Sequence, residues 1–187
     1  ILNENIKASH NFSDVLDADI ILLAVPTAAV ESVCLELNEN LKKAVTIINV
    51  AKGFHPVTHH LLSDAIKESI DADKLKAVVS LIGPSHAENV VLRQHTAINS
   101  VSDDENAAKE VQYMFSNDYF RVYRTDDVIG AQIGVAIKNI IAVASGMAQG
   151  LDLGDNARAA LITRGLAEMT RFGVSQGARP ETFLGLC

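Results

Sequence analysis

Short segments that are apolar at almost every position recur in the first two-thirds of this 187-residue chain, and they constrain its fold more than any other feature. Examples are DIILLAVP at residues 19–26 and AVTIINVAKG at residues 44–53. A strand without polar alternation is typical of a sheet that helices cover on both faces, and such sheets are mostly parallel. Helical patterns lie between these segments, so the sequence predicts an α/β fold with a parallel sheet.

Five strands and three intervening helices follow from this alternation. The predicted strands are Ile20 to Val25, Val45 to Val50, Ala77 to Ile82, Thr96 to Ser100 and Phe120 to Tyr123. The predicted helices are Ala28 to Leu37, Thr58 to Ile70 and Asp104 to Phe115. Ser102 and Glu105 have the spacing of a capping box at the start of the last helix.

Strand patterns stop after Tyr123, and the rest of the chain is helical in character. Thr125 or Asp126 is predicted to cap a helix that runs to about Gln149, where Gly150 and Gly154 interrupt it. A second helix is predicted from Asn156 to about Phe172. No Gly/Ser linker separates the two parts near residue 125, so we expect them to pack closely around a cleft.

Composition narrows the possible functions. The net charge is −7 and the pI is near 5.3, without a lysine/arginine block, which argues against a nucleic-acid or anionic-membrane surface. The longest apolar run stops at Pro26, far short of the roughly 20 residues of a membrane span. Cys34 and Cys187 form no CxxC pair, and Cys34 is predicted to be a core residue in a protein of the reducing cytoplasm. The chain starts with Ile and ends within an apparently structured segment, so we expect a fragment.

One lysine, Lys138, interrupts the apolar helical stretch GVAIKNIIAVASG at residues 134–146. No carboxylate lies within one helical turn of it, so a partner for its charge must come from outside that turn. Two interpretations stay open. The side chain extends along apolar surface to water, or it faces a cleft, where desolvation lowers the pKa of a lysine and suits it to acid–base work.

Unusual residues also follow two of the predicted strands. Lys52 and Gly53 come directly after one strand, and Gly83, Pro84 and Ser85 after another. Each group can be a simple turn, but ligands of open parallel sheets bind at the carboxyl ends of the strands. A glycine, a hydroxyl and free amides at such a position also suit a phosphate or alcohol ligand.

Two other signals point to no site. His59 and His60 lack a third ligand at suitable spacing, so we expect no metal site. The pattern GxGxxG does not occur in the sequence, so nucleotide binding cannot be derived from a glycine fingerprint.

Taken together, the motifs resemble the soluble, bacterial-type NAD(P)-dependent glycerol-3-phosphate dehydrogenases. The resemblance covers nearly the whole chain, and the motifs occur in the family's order. They are AKG at residues 51–53, GPSHAE at 83–88, FRVY at 120–123, KN at 138–139 and, most specifically, GDNARAALITRGLAEMTRFG at 154–173.

The resemblance implies a partial doubly wound (Rossmann-type) parallel sheet followed by the start of an all-α substrate domain. Residues 1–124 would be the C-terminal portion of the dinucleotide-binding domain, and residues 125–187 the N-terminal portion of the helical domain. The implied activity interconverts dihydroxyacetone phosphate and glycerol 3-phosphate with NAD or NADP, for phospholipid synthesis, in a cytoplasmic homodimer. The glycine-rich loop, an aspartate and an Arg-Asn pair of the family would lie outside this chain.

The resemblance also assigns roles to individual residues. Lys138 matches the catalytic lysine, which would also contact the substrate, and the adjacent Asn139 would support the substrate. The remaining implied contacts are Lys52, Gly83 and Ser85 to the substrate, and Lys52 and Ala87 to the cofactor.

The sequence departs from the family pattern at two positions, and two alternative functions stay open. Val135 stands where many members have a second glycine, and Cys187 where a small residue is usual. A β-hydroxyacid dehydrogenase is the first alternative, although those enzymes separate the lysine and asparagine that are adjacent here. The second is an inactive relative that only binds a nucleotide or a partner, against which the joint presence of Lys52, Ser85 and Lys138 argues.

Overall fold

The computed structural model describes residues 4–186, in which a five-stranded sheet is followed by a pair of long helices. The strands are β1 (Ile20–Leu23), β2 (Val45–Asn49), β3 (Leu75–Ile82), β4 (Thr96–Val101) and β5 (Phe120–Thr125). The helices are α1 (Val30–Asn40), α2 (Leu62–Ser69), α3 (Ala87–Val91), α4 (Glu105–Phe115), α5 (Val128–Gly150) and α6 (Gly154–Ser175). Short 3-10 helices cover Phe12–Val15, Thr27–Ala29 and Pro180–Leu184. Cys187 lies outside the described residues.

The strands are adjacent in chain order, and β1, β2 and β3 are parallel, as the sequence predicts. Every residue of β2 is buried, which agrees with its unbroken apolar pattern. One core cluster packs α1 and α2 on one face of the sheet, and another packs α4 on the other face.

Cys34 is fully buried in the first cluster, where burial raises the pKa of its thiol to about 12. It is therefore a core residue, as predicted.

One pair of neighbouring strands departs from the predicted parallel arrangement. β4 pairs antiparallel to β3, and β5 runs parallel to β4. The connection at residues 83–95 contains only the five-residue helix α3, whereas a parallel return usually needs a full crossover helix.

Pairing between β3 and β4 is short, and this shapes one edge of the sheet. It joins Ser80 to Val101, Leu81 to Ser100 and Ile82 to Asn99. The first half of β4 and the residues of β5 paired with it therefore continue past the carboxyl end of β3. We call residues 96–98 and 120–122 the β4–β5 extension.

Three predicted helix starts also need correction. Asp104, not the pair Ser102 and Glu105, caps α4, because its carboxylate accepts from the amides of the next turn. The Ser102 hydroxyl instead donates to the carbonyl of Val78 on β3. The helix predicted from Thr58 begins at residue 62, because residues 54–61 form a closed loop with a bridge between its ends.

The start of α5 is held by Asp127, one residue beyond the predicted caps. Its Oδ1 accepts from the amide of Gly130 at 3.0 Å, which caps the helix. Its Oδ2 accepts from the amide of Arg179 at 3.0 Å and the hydroxyl of Thr182 at 2.5 Å. The buried carboxylate therefore ties α5 to the segment after α6.

The two long helices pack closely against each other at a glycine. A Cβ on Gly165 of α6 would lie 2.8 Å from the Cδ1 of Ile141 on α5, so only glycine allows this approach. The end of α6 behaves similarly, because Gly173 leaves room for the ring of Phe183. The second helix begins at Gly154 and ends at Ser175, slightly longer at both ends than predicted.

Among residues 4–186, α5 is the one helix long and apolar enough to cross a membrane by length and composition. Its most apolar 18-residue stretch has a mean hydropathy of 1.7, and 33% of that stretch is buried in the protein. Lys138 and Gln132 interrupt the helix, so it contains no long unbroken apolar run. Core helices of soluble proteins pass the same test, and the first half of α5 packs against β3 and β4.

Replacing Asp127 by alanine is expected to lower the free energy of unfolding by about 3 kcal/mol, because a helix cap and two further hydrogen bonds are lost together. Urea unfolding followed by circular dichroism measures the change. Asp104→Ala is the matched control, since it removes an exposed cap alone and should cost about 1 kcal/mol. Equal losses in the two variants would contradict the tie between α5 and the segment after α6.

Candidate functional site

The candidate site lies at the edge where β1, β2 and β3 end. Because these strands are parallel neighbours, their carboxyl ends share one edge, and Leu23, Asn49 and Ser80 are aligned across it. The loops that follow contain residues 24–26, 50–53 and 83–85. Loops at this edge are the usual ligand-binding positions of an open α/β sheet.

The loop that carries Lys52 has a fixed backbone. Buried Asn49 accepts from the amide of Ala51 at 3.0 Å and donates to its carbonyl at 3.3 Å. The hydroxyl of Thr27, beyond the end of β1, donates to the carbonyl of Lys52 at 2.7 Å. Gly53 then adopts a φ of +110°, which L side chains rarely adopt, and the chain turns away from the sheet. Asn49 and Thr27 are polar residues close to strand ends, but no local sequence pattern marks them as contacts of this loop.

The side chain of Lys52 is exposed, and no ion pair joins it to a carboxylate within residues 4–186. The carboxylates whose pKa values are lowered by hydrogen-bonded cations belong to other pairs: Asp19 with Lys43, Asp103 with Lys67, Asp126 with Arg179 and Glu168 with Arg171. In a chain with a net charge of −7, such a lysine at a strand end is suited to hold an anion.

Gly83 and Ser85 lie in the loop directly after β3. Gly83 is buried, and a Cβ there would lie 2.8 Å from the Cα of Ile98 on the β4–β5 extension. Close packing against β4 thus requires this glycine whether or not a ligand binds. Half-buried Ser85 directs its hydroxyl toward the carbonyl of Gly83 at 3.5 Å. His86 occupies the N-cap position of α3, and Ala87 is the exposed first residue of that helix.

Lys138 lies in the middle of α5, and its side chain is half-buried. Ala131 and Val135 of α5 pack against Ile82 at the end of β3. Lys138 follows Val135 by three residues, which places it nearly one turn further along the same side of the helix. It therefore follows the part of α5 that covers the end of β3. Asn139, the next residue, is exposed.

The histidines singled out in the sequence lie elsewhere. His59 and His60 are exposed in the loop before α2, and His60 Nδ1 is 3.5 Å from Glu68. No group of three or more metal-ligating side chains occurs in the described part of the chain. Cys34 is buried with a raised thiol pKa, so it is no nucleophile either.

The arrangement thus provides one exposed lysine on a rigid loop, one hydroxyl at the end of β3 and one half-buried lysine on α5. Such groups suit the binding of an anionic small molecule and a proton transfer to or from it. Lys52 lies in the loop after β2, Ser85 in the loop after β3, and Lys138 on α5, one helical turn beyond the residues that pack on the end of β3.

Comparison with known proteins gives consistent matches. The model of the NAD-dependent glycerol-3-phosphate dehydrogenase N-terminus matches residues 1–108, and that of the C-terminus matches residues 127–187. Glycerol-3-phosphate dehydrogenase [NAD(P)+] of Listeria monocytogenes serotype 4a is 49% identical over the whole chain, and that of Enterococcus faecalis 47%. This chain covers 55% of each of these relatives, about half of their length.

Solved structures agree with the sequence matches. The crystal structure of glycerol-3-phosphate dehydrogenase from Coxiella burnetii matches with a TM-score of 0.91 and 32% identity, over 98% of this chain and 56% of that one. The Saccharomyces cerevisiae enzyme gives a TM-score of 0.79 and 28% identity, over 91% of this chain and 51% of its own.

Replacing Gly83 by alanine is expected to lower the free energy of unfolding by about 1–3 kcal/mol, because the new methyl group meets the backbone of Ile98. Thermal unfolding of the 187-residue chain, without any ligand, measures the loss. Gly146→Ala on α5 is the control, since nothing lies within 4 Å of the added Cβ, and it should be neutral or slightly stabilising. Unchanged stability of Gly83→Ala would mean that packing is not what requires a glycine here.

Proposed function

Because the chain belongs to the NAD-dependent glycerol-3-phosphate dehydrogenase family, we propose that the complete protein interconverts dihydroxyacetone phosphate and sn-glycerol 3-phosphate with NAD or NADP. The matches to both halves of the family pattern support this assignment. The position of Lys138, next to the residues that pack on the end of β3, supports it most directly. We further propose a cytoplasmic homodimer that supplies glycerol 3-phosphate for phospholipid synthesis.

The loops at the sheet edge fit a dinucleotide and a phosphate ester. Lys52 has a fixed backbone and an exposed ammonium group without an ion-pair partner in the described residues, as an anion-binding lysine requires. We assign Lys52 to both substrate and cofactor, Gly83 and Ser85 to the substrate, and Ala87 to the cofactor. When bound, the nicotinamide supplies the hydride chemistry.

Lys138 is assigned to proton transfer. During reduction its ammonium group would donate a hydrogen bond to the ketone oxygen, polarise the carbonyl and transfer a proton to the developing alkoxide. During oxidation the neutral amine would accept the proton of the hydroxyl group. A half-buried position on a packed helix suits this role, because the backbone holds the amine in place while solvent access is restricted.

In the complete protein, Lys138→Ala is expected to lower kcat by about 100-fold or more, because both proton transfer and carbonyl polarisation are lost. Steady-state kinetics with dihydroxyacetone phosphate and with NADH or NADPH measure the effect, and circular dichroism checks the fold.

The control and a rescue experiment make this test specific. Lys109→Ala removes an exposed lysine from α4 and should leave kcat unchanged. A small primary amine added to Lys138→Ala should restore part of the activity. A near-normal kcat in Lys138→Ala would contradict the catalytic assignment. It would favour the other interpretation, in which the side chain extends along apolar surface to water.

The 187-residue chain by itself is expected not to oxidise glycerol 3-phosphate at a measurable rate. It spans about half the length of its relatives, and its sequence contains no glycine-rich loop to bind the pyrophosphate at a helix N-terminus. Parallel assays of the chain and of the complete protein, with NAD and with NADP, test this. Activity of the chain comparable to that of the complete protein would show that the cofactor site is misplaced.

A further inference from the structure

We propose that Thr27 is a positioning residue, which sets the place of Lys52 for ligand binding. The inference rests on the proposed function, because it takes Lys52 as the anion-binding lysine. Thr27 belongs to none of the motifs that carry the family resemblance, and it lies 25 residues before Lys52 in the sequence.

The contact is direct. Thr27 Oγ1 donates to the main-chain carbonyl of Lys52 at 2.7 Å. The last backbone hydrogen bond between these two chain segments joins the amide of Val50 to the carbonyl of Leu23 at 3.2 Å. Past that point the strands have ended, and the threonine hydroxyl continues the connection between the loops after β1 and β2.

The other contacts that hold the loop act on neighbouring residues. Asn49 holds Ala51, and the bridge between Phe54 and Leu61 closes the segment after Gly53. Among the hydrogen bonds of the described residues, that of Thr27 is the one made to Lys52 itself.

The local geometry favours a positioning role over a simple turn role for Thr27. It is the first residue of the 3-10 helix Thr27–Ala29, where a hydroxyl could hydrogen-bond its own turn. Instead the hydroxyl bonds to the loop of another strand. The result is a fixed backbone beneath an exposed ammonium group, so that less ordering is left for the moment when a ligand binds.

Loss of the hydroxyl should therefore weaken binding more than turnover. Thr27→Val keeps the shape of the side chain but removes the donor. In the complete protein we expect the KM for dihydroxyacetone phosphate and for the dinucleotide to rise roughly fivefold, the effect of one lost hydrogen bond. The value of kcat should change less than about twofold, because Lys138 rather than Lys52 transfers the proton.

Further variants separate positioning from general stability. Thr27→Ser keeps the donor and should restore the KM. If Thr27→Val fails to fold, Thr27→Ala removes the donor in its place and carries the same expectation. Thr163→Val is the matched control, because it removes a hydroxyl that donates to the carbonyl of Ala159 at 2.9 Å on α6. It should leave both kinetic constants unchanged.

A double-mutant cycle with Lys52→Met decides the outcome. If Thr27 acts through Lys52, then Thr27→Val should have no further effect on KM once Lys52 is replaced. An equal effect in both backgrounds would overturn the inference, as would an unchanged KM in Thr27→Val beside a raised KM in Lys52→Met. If Lys52→Met itself leaves every KM unchanged, the proposed anion-binding role of Lys52 is wrong and the inference falls with it.

Discussion

The buried carboxylate of Asp127 is the interaction on which the helical part of this protein depends. One oxygen satisfies an amide at the start of α5, and the other accepts from the chain that follows α6. The Asp127 carboxylate lies so close to the helix start that a Cβ on Gly130 would be 2.2 Å from Oδ2 of Asp127. Since α5 carries Lys138, the same carboxylate fixes the start of the helix that positions the proposed catalytic amine.

Much of the sheet could be predicted because complete burial leaves a clear signature in composition. A strand such as β2, covered on both faces, must be apolar at nearly every position, and all of its residues are indeed buried. Lys138 stood out for the same reason, as a charge that apolar neighbours on a helix cannot satisfy. Its role, like those of Lys52, Ser85 and Ala87, stays a proposal.

Other features depend on contacts between distant residues, which local patterns do not encode. The direction of β4 is one, because an apolar run predicts a strand but not its orientation. The bond between Thr27 and Lys52 is another, since it exists only after β1 and β2 have paired. The start of α5 was misplaced by one or two residues because Thr125, Asp126 and Asp127 are all good cap residues, and only the chain after α6 selects among them.

The reversed direction of β4 makes the two sides of the proposed site unequal. The β4–β5 extension stands beside the loops after β3 as a barrier, and Gly83 packs directly against it, whereas the side of β1 has no such barrier among the described strands. Within residues 4–186, a ligand held at this edge would therefore meet a wall on the side of β4. A two-residue slip of β4 along β3 would keep each side chain on its face of the sheet and change the height of the barrier by about 7 Å. The register of this single strand pair thus sets the height of one wall of the proposed site, while the loops after β1 and β2 do not depend on it.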